Sequence, residues 1–287
     1  MTAEERNRLT VLSCQVRMDI LKAVHEAASG HIGGSMSAAD ILVWLYFRQM
    51  HVDPSDPGKA DRDRFVLSKG HAAPALYAVL AERGFFPREE LSTLRKLHSR
   101  LQGHPNMNLT PGVDMTTGSL GQGVSAAAGL ALAMKLTGGC GKVYTLLGDG
   151  ELQEGQVWEA FMFSSHHKLS NLCILIDRNR LQIDGRTQDV MCISPVEDKL
   201  KSFGLTVYRA NGHRFSELEQ AFSWADCERS GPCAIVLDTV KGKGVSFMEN
   251  NAAWHGKAPN DAEYELALSE LEQSMKQLRE DYNECIA

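Results

Sequence analysis

The sequence predicts an α/β fold, a doubly wound parallel sheet with helices on both faces. Three observations carry this reading. Apolar runs at 143–147, 171–177, 205–210 and 233–240 alternate with helical patterns at 154–168, 195–203 and 215–229. With 287 residues and 43 % hydrophobic content, the chain can bury one substantial core. No internal repeat, low-complexity tract or interdomain linker divides it, so residues 1–287 read as a single domain.

The elements follow in order. Leu9, Leu12, Val16, Ile20, Ala23, Val24 and Ala27 recur at helical spacing, making 4–28 an amphipathic helix that stops at Ser29-Gly30. A second helix is expected from Ser37, as N-cap, through Ile41, Leu42, Leu45 and Tyr46. The Asp/Pro/Gly-rich stretch 53–58 is a loop by composition. Phe65-Val66-Leu67 is a short strand candidate, and Pro74 suits the first turn of a helix reaching Arg83. Residues 98–118 form a long irregular connection, a length that in compact domains is often functional. The helix at 122–136 is so rich in Gly and Ala that a neighbouring backbone can approach closely, which argues for burial in the domain centre or against another subunit rather than exposure. After the strand–helix alternation, Tyr264, Leu268, Leu271, Met275, Leu278 and Tyr282 line one face of a terminal helix.

Two of the apolar runs end in chemistry. Leu147-Gly148-Asp149-Gly150-Glu151 places a carboxylate on a tight turn, and Asp177-Arg178-Asn179 places a carboxamide after the next run. If the runs are neighbouring strands, Asp149 and Asn179 emerge side by side at the carboxyl edge of the sheet, where open α/β sheets bind ligands. With the backbone carbonyl of Leu181 they offer hard oxygens of low total charge, which suits Mg²⁺ shared with phosphate oxygens. Gly150 lets backbone approach a diphosphate.

Histidine placement is the second signal. Ten histidines and 25 glycines would meet about twice by chance. They meet five times, at Gly30-His31, Gly70-His71, Gly103-His104, Gly212-His213 and His255-Gly256. Imidazoles on tight loops can hold hydroxyls and exchange protons near pH 7. His213 is set aside, since it reads as the end of a strand loop before the helix starting near Phe215.

The run from Gly148 through Glu154 to Ala160 resembles the thiamine diphosphate signature of transketolases. Further similar segments follow the family order: Ser29-Gly30-His31, Ser68-Lys69-Gly70-His71, Gly103-His104-Pro105, Thr117 to Gly123, Lys241-Gly-Lys-Gly and Trp254-His255-Gly256. The resemblance implies a thiamine diphosphate-binding fold of the diphosphate-anchoring kind. It implies cofactor contacts from His71, Gly118, Ser119, Leu120, Asp149, Gly150, Glu151, Asn179, Lys241 and His255. Asp149, Asn179 and Leu181 would hold Mg²⁺, with Ca²⁺ or Mn²⁺ as substitutes. His31, His71, His104 and His255 would act in proton transfer on a ketose substrate, and Glu154 in a carboxylate network at a subunit interface. Its bland role is a helix first-turn acid. Two departures stand out. Gly34 offers only backbone where many members have a side chain, and Ile183 replaces a residue that is polar in some.

The chain ends where a full-length transketolase would be under half finished, and no pyrimidine-binding domain is recognisable. The implied protein is the amino-terminal subunit of a split transketolase, which reversibly transfers a two-carbon ketol unit between sugar phosphates or modified sugars. A carboxy-terminal subunit would supply the pyrimidine-binding domain, in a heterotetramer of two copies of each. Three alternatives stay open: another thiamine diphosphate enzyme (deoxyxylulose-phosphate synthase-like or 2-oxo acid dehydrogenase-like), a non-catalytic cofactor-binding protein, or a fragment. The final helix reads weakly as a finished terminus.

Other classes find little support. There is no phosphate-loop motif, and the glycines at 118–123 lack the setting of a dinucleotide fingerprint. Seven scattered cysteines form no Cys-x-x-Cys pair, which fits a reducing cytoplasm rather than a zinc or dithiol centre. The start of the chain does not read as a signal peptide, and no apolar run approaches a membrane span. A net charge of −6 argues against a nucleic-acid surface.

Overall fold

The computed structural model describes residues 1–228 and 230–286, with side chains through Tyr282. Cys285, one of the seven cysteines, therefore lies outside the described side chains. The chain runs α1 (Ala3–Glu26), α2 (Ile32–Trp44), β1 (Arg64–Leu67), α3 (Ala73–Arg83) and α4 (Gln122–Thr137). Next come β2 (Val143–Gly148), α5 (Gly155–His166), β3 (Leu172–Arg178), the short strands β4 (Leu181–Gln182) and β5 (Gly185–Arg186), and a single turn α6 (Thr187–Val190). It closes with α7 (Val196–Ser202), β6 (Thr206–Asn211), α8 (Phe215–Cys227), β7 (Cys233–Asp238) and α9 (Asp261–Ile286).

Five strands form one parallel sheet in the order β1-β2-β3-β7-β6. Strand residues alternate between its faces with period two. Cys173 and Leu175 of β3 face a core built with α1, α2, α3, α8 and α9, while Leu172, Ile174 and Ile176 face one built with α4, α5 and α7. Burial on both faces explains why the strands read as continuous apolar runs. The chain leaves β3, passes over β7 to form β6, and returns, so the order reverses next to β3. That switch point opens a crevice at the carboxyl ends of β2, β3 and β7.

One sequence expectation is corrected. The second helix begins at Ile32, five residues before Ser37. Gly33 lets this start pack inward, since a Cβ there would lie 2.8 Å from the carbonyl oxygen of Trp254. Ser37 is thus inside the helix and fully buried, not its N-cap. The helix then widens into a π-helical turn over Leu45–Gln49. The Gly/Ala-rich helix α4 is only half covered: Val124, Ala127, Ala128 and Ala131 are buried, whereas Gly129, Ala133 and Leu136 are exposed. Close approach does occur at Gly123, where a Cβ would meet Cα of Ser68 at 2.6 Å. The antiparallel pair β4–β5, which carries Leu181, was not visible as a pattern because each strand has two residues.

The long connection stays irregular from 94 to 121 but is pinned by side chains. Tyr77 donates its hydroxyl to the carbonyls of Gln102 and His104, at 2.9 and 3.1 Å, and Thr117 donates to the carbonyl of Leu67 at 2.7 Å. These bonds fix His104 on a loop of no regular structure.

Candidate active site

The register places Gly148 opposite Asp177, and the backbone N–H of Asp149 donates to the Asp177 carbonyl at 3.2 Å. Asp149 and Asn179 therefore leave adjacent strand ends, and with Leu181 they line one cavity of ≈ 200 Å³. Asp149 is 3 % exposed, and its carboxylate accepts from the N–H of Gly150 at 3.0 Å and of Arg180 at 2.6 Å. Arg180 adopts a left-handed φ of 64°, uncommon for a side-chain-bearing residue, and this turn aims its N–H at Asp149. No cationic side chain pairs with Asp149 among the described residues. Burial, with Asp177 nearby, pushes its pKa up to about 6. A carboxylate so held lacks a counter-charge that a divalent cation would provide.

Asn179 Oδ1 accepts from the N–H of Leu181 at 3.1 Å and keeps a second lone pair. The Leu181 carbonyl accepts from Lys241 Nζ at 3.3 Å, so a cation there would displace one weak contact. Two side-chain oxygens and a backbone carbonyl fit Mg²⁺ with open positions for phosphate. Gly150 sits with them, and a Cβ on it would lie 3.2 Å from Cβ of Gln182.

Behind the cavity lies a buried charged floor that the sequence reading did not single out. Asp177, fully buried, accepts from Ser37 Oγ at 2.6 Å, from Lys69 Nζ and from Thr239 Oγ1. Lys69, itself 1 % exposed, also donates to the Gly34 carbonyl at 2.9 Å. Burial raises the pKa of Asp177, but Lys69 and the hydroxyls outweigh it and hold the group below its usual range. Both residues carry weight through partners 108 positions apart, which no local motif reveals.

His71 and His255 line the same cavity, while His31 and His104 do not line it and are grouped with them by ring contacts. The His31 ring is 5.3 Å from His71, 5.4 Å from His255 and 6.4 Å from His104, and His71 is 5.2 Å from His255. Burial is the first cause lowering all four pKa values. It brings His31 to about 4, with Arg95 adding, and His255 to about 3, with Lys241 adding. His71, next to Lys69, falls well below its ordinary value, and His104 falls under burial and Arg95. All four are neutral at pH 7. Lys241 Nζ lies 2.8 Å from His255 Nδ1. Burial and then Lys69 lower the Lys241 pKa to about 8, so it remains largely an ammonium at pH 7.

The remaining candidates divide. Leu120 and Glu154 line the cavity, and Glu154 is exposed at the start of α5. Glu151 also lines it, but its oxygens are occupied as a clamp: they accept from Ser68 Oγ at 2.5 Å, Gly121 N at 2.9 Å and Gly148 N at 3.0 Å. Gly118 lies against His104 and Gly70, where a Cβ on Gly70 would come within 2.8 Å of its nitrogen. Ser119 is exposed and does not line the cavity. His213 anchors structure, contacting Asp40 at 2.7 Å through Nδ1 and accepting from Val240 N at 2.8 Å. Arg95 is the residue missed: it donates to Ser29 Oγ at 3.1 Å, and its buried Nε has no protein partner beside His31 and His104.

Residues 10–278 match the family described as transketolase, thiamine diphosphate binding domain. The chain belongs to the transketolase family. It is 45 % identical to the 6-deoxy-6-sulfo-D-fructose transketolase subunit SqwG of a Clostridium species over 90 % of this chain and 94 % of that one. It is 41 % identical to an apulose-4-phosphate transketolase subunit of Phocaeicola vulgatus, over 93 % and 95 %. The solved transketolase of Campylobacter jejuni superposes with a TM-score of 0.83 at 29 % identity, over 95 % of this chain and 48 % of that one. The chain thus spans nearly all of the subunit-type relatives and about half the length of the solved transketolase. It corresponds to the amino-terminal subunit of a split transketolase. Among the described residues, no helix is long and apolar enough to cross a membrane.

Proposed function

We propose that the crevice anchors the diphosphate of thiamine diphosphate through Mg²⁺ held by Asp149, Asn179 and the Leu181 carbonyl. A second polypeptide with the pyrimidine-binding domain completes the site. The assembled enzyme transfers a two-carbon ketol unit reversibly from a ketose to an aldose. The observation that carries this reading is the convergence of those three oxygen ligands with His71, His255 and Lys241 on one cavity at the strand ends. When bound, the cofactor supplies the carbanion chemistry at its thiazolium ring.

The chain's own residues supply binding, orientation and proton transfer. Lys241 and the backbone at Gly150 and Leu120 meet the diphosphate. An ammonium only donates, so Lys241 makes Nδ1 of His255 the acceptor and leaves the proton on Nε2. His255 therefore presents an N–H donor to a substrate oxygen. His31 keeps a buried Nδ1 without a protein partner, an unused hydrogen-bonding site within the histidine cluster. His71 lines the cavity, and His104 stands 6.4 Å from His31. Because the imidazoles are neutral at pH 7, each of His31, His71 and His104 keeps one ring nitrogen able to take up a proton, whereas His255 is set as an N–H donor. Arg95 holds a positive charge at the His31–His104 end, where the charged part of an extended substrate would lie.

Leu136, Met162 and Phe163 on α4 and α5 are 77 %, 53 % and 40 % exposed, which supports docking of further subunits on these two helices. A heterotetramer with Glu154 at an interface is the proposed assembly. The subunit-type relatives, named for a sulfonated ketose and for apulose 4-phosphate, support a modified sugar as donor beside ordinary pentose phosphates. Free thiols at the six described cysteines support a cytoplasmic location. Co-expression with a candidate partner followed by a donor and acceptor screen tests the reading; ketol transfer that appears only on mixing supports it, and none with any ketose sinks it.

A further inference from the structure

A second cavity of ≈ 240 Å³ shares Asp149 in its wall with the cofactor crevice. Arg178, Arg180 and Arg186 line it, together with Thr187 and Ser194. The arginines come from the end of β3, the turn that follows, and β5, so the fold gathers them from three backbone segments.

The charges at this place do not balance. Arg178 pairs with Glu197 at 3.2 Å and Arg180 with Asp238 at 3.0 Å. Arg209 draws on the same two carboxylates, reaching Asp238 at 2.6 Å and Glu197 at 3.5 Å. Three guanidinium groups share two carboxylates, and Arg186, at the cavity wall, has no side-chain partner among the described residues. Asp149 is the one carboxylate on the wall, and its oxygens already accept from Arg180 N and Gly150 N. The hydroxyls of Thr187 and Ser194 have no partner among the described residues either. The cavity is rich in donors, poor in acceptors and net positive.

From this geometry we infer that the cavity is an oxyanion site, built for a tetrahedral dianion such as phosphate, free or as a sugar ester. Guanidinium forks match phosphate oxygens bidentately, and hydroxyl donors complete the shell. The site shares Asp149 with the proposed diphosphate anchor, and the two are mechanically linked. Arg180 faces the cavity with its side chain and holds Asp149 with its backbone N–H. An anion drawing on the Arg180 guanidinium bears on the turn that orients the proposed metal ligand. The inference does not depend on ketol transfer, because it rests on the arginine cavity alone.

The test is calorimetric titration of the full chain with inorganic phosphate, with and without saturating thiamine diphosphate and Mg²⁺. Saturable binding at one site is expected in both conditions. Arg186→Gln, which breaks no side-chain contact of the fold, and Arg178→Gln should each weaken it at least tenfold. Ribose 5-phosphate and ribose run alongside. Equal binding of phosphate and ribose 5-phosphate supports a site for the phosphate group from either source, and ribose 5-phosphate alone assigns the source to a sugar ester. Ribose binding as well as its ester, no saturable binding of phosphate or its ester, or unchanged affinity in Arg186→Gln would overturn the inference. Failure of the cofactor to bind would count against the functional reading instead, since the titration without cofactor still reads the arginines.

Discussion

Lys241 Nζ stands 2.8 Å from Nδ1 of His255 and so fixes which nitrogen of that ring carries the proton. The same ammonium reaches the carbonyl of Leu181 at 3.3 Å. One side chain therefore joins the proposed metal anchor to a proposed proton-transfer group. Its position follows from β7 ending at Asp238, three residues earlier, at the carboxyl edge of the sheet.

His255→Ala, assayed with the partner subunit present, is expected to lower the rate of ketol transfer on the order of 10²–10⁴-fold. Steady-state kinetics with a ketose donor measure this. Unchanged turnover removes His255 from the mechanism.

Lys69→Met should destabilise the chain by about 3–5 kcal/mol, the usual cost of stranding one member of a buried ion pair. Lys69 is 1 % exposed and its partner Asp177 is fully buried. Urea unfolding reads the loss. Combining Lys69→Met with Asp177→Asn should recover part of it, because no buried charge is then left alone.

Gly123→Ala is expected to cost about 1–3 kcal/mol through overpacking. Its new Cβ would lie 2.6 Å from Cα of Ser68, a backbone atom that cannot turn aside. The same push would disturb the bond from Ser68 to Glu151, whose carboxylate also holds the Gly121 N–H. A change at Gly129, where a Cβ meets nothing within 4 Å, is the matched control.

Stability should fall as pH drops from 6.5 towards 4, and His31 is one source. Its folded pKa, about 4, lies below the ordinary 6.5, so the unfolded chain binds the extra proton first. His71, His104 and His255 act in the same sense. Asp149, raised from 3.8 to about 6, acts in the opposite sense between those values. Urea unfolding of wild type and His31→Gln at several pH values isolates one group: the variant should show the shallower slope, and parallel profiles would contradict the account.

Much of this was legible in the sequence, and the reason differs by element. Asp149 and Asn179 were readable because each ends an uninterrupted apolar run, and parallel strands buried on both faces make such runs unmistakable. The four histidines were readable as a class from their glycine neighbours, but their convergence on His31 depends on loops that only the folded chain brings together. Ser37 misled because serine before an apolar helix is an N-cap signal, while here the helix already starts at Ile32 and the Ser37 hydroxyl donates to the buried Asp177. Lys69, Asp177 and Arg95 look like ordinary charged residues in sequence. Their meaning is set by burial and by distant partners, which periodicity does not encode.

The central claim is that Asp149, Asn179 and the Leu181 carbonyl share one divalent cation that ties down a diphosphate. Anomalous diffraction from crystals grown with Mn²⁺ and thiamine diphosphate tests it most directly. A single strong peak is expected within about 2.0–2.6 Å of all three oxygens and of phosphate oxygens, the bonding range of such cations. A cofactor bound with its metal elsewhere, or no metal between positions 149 and 179, would contradict it.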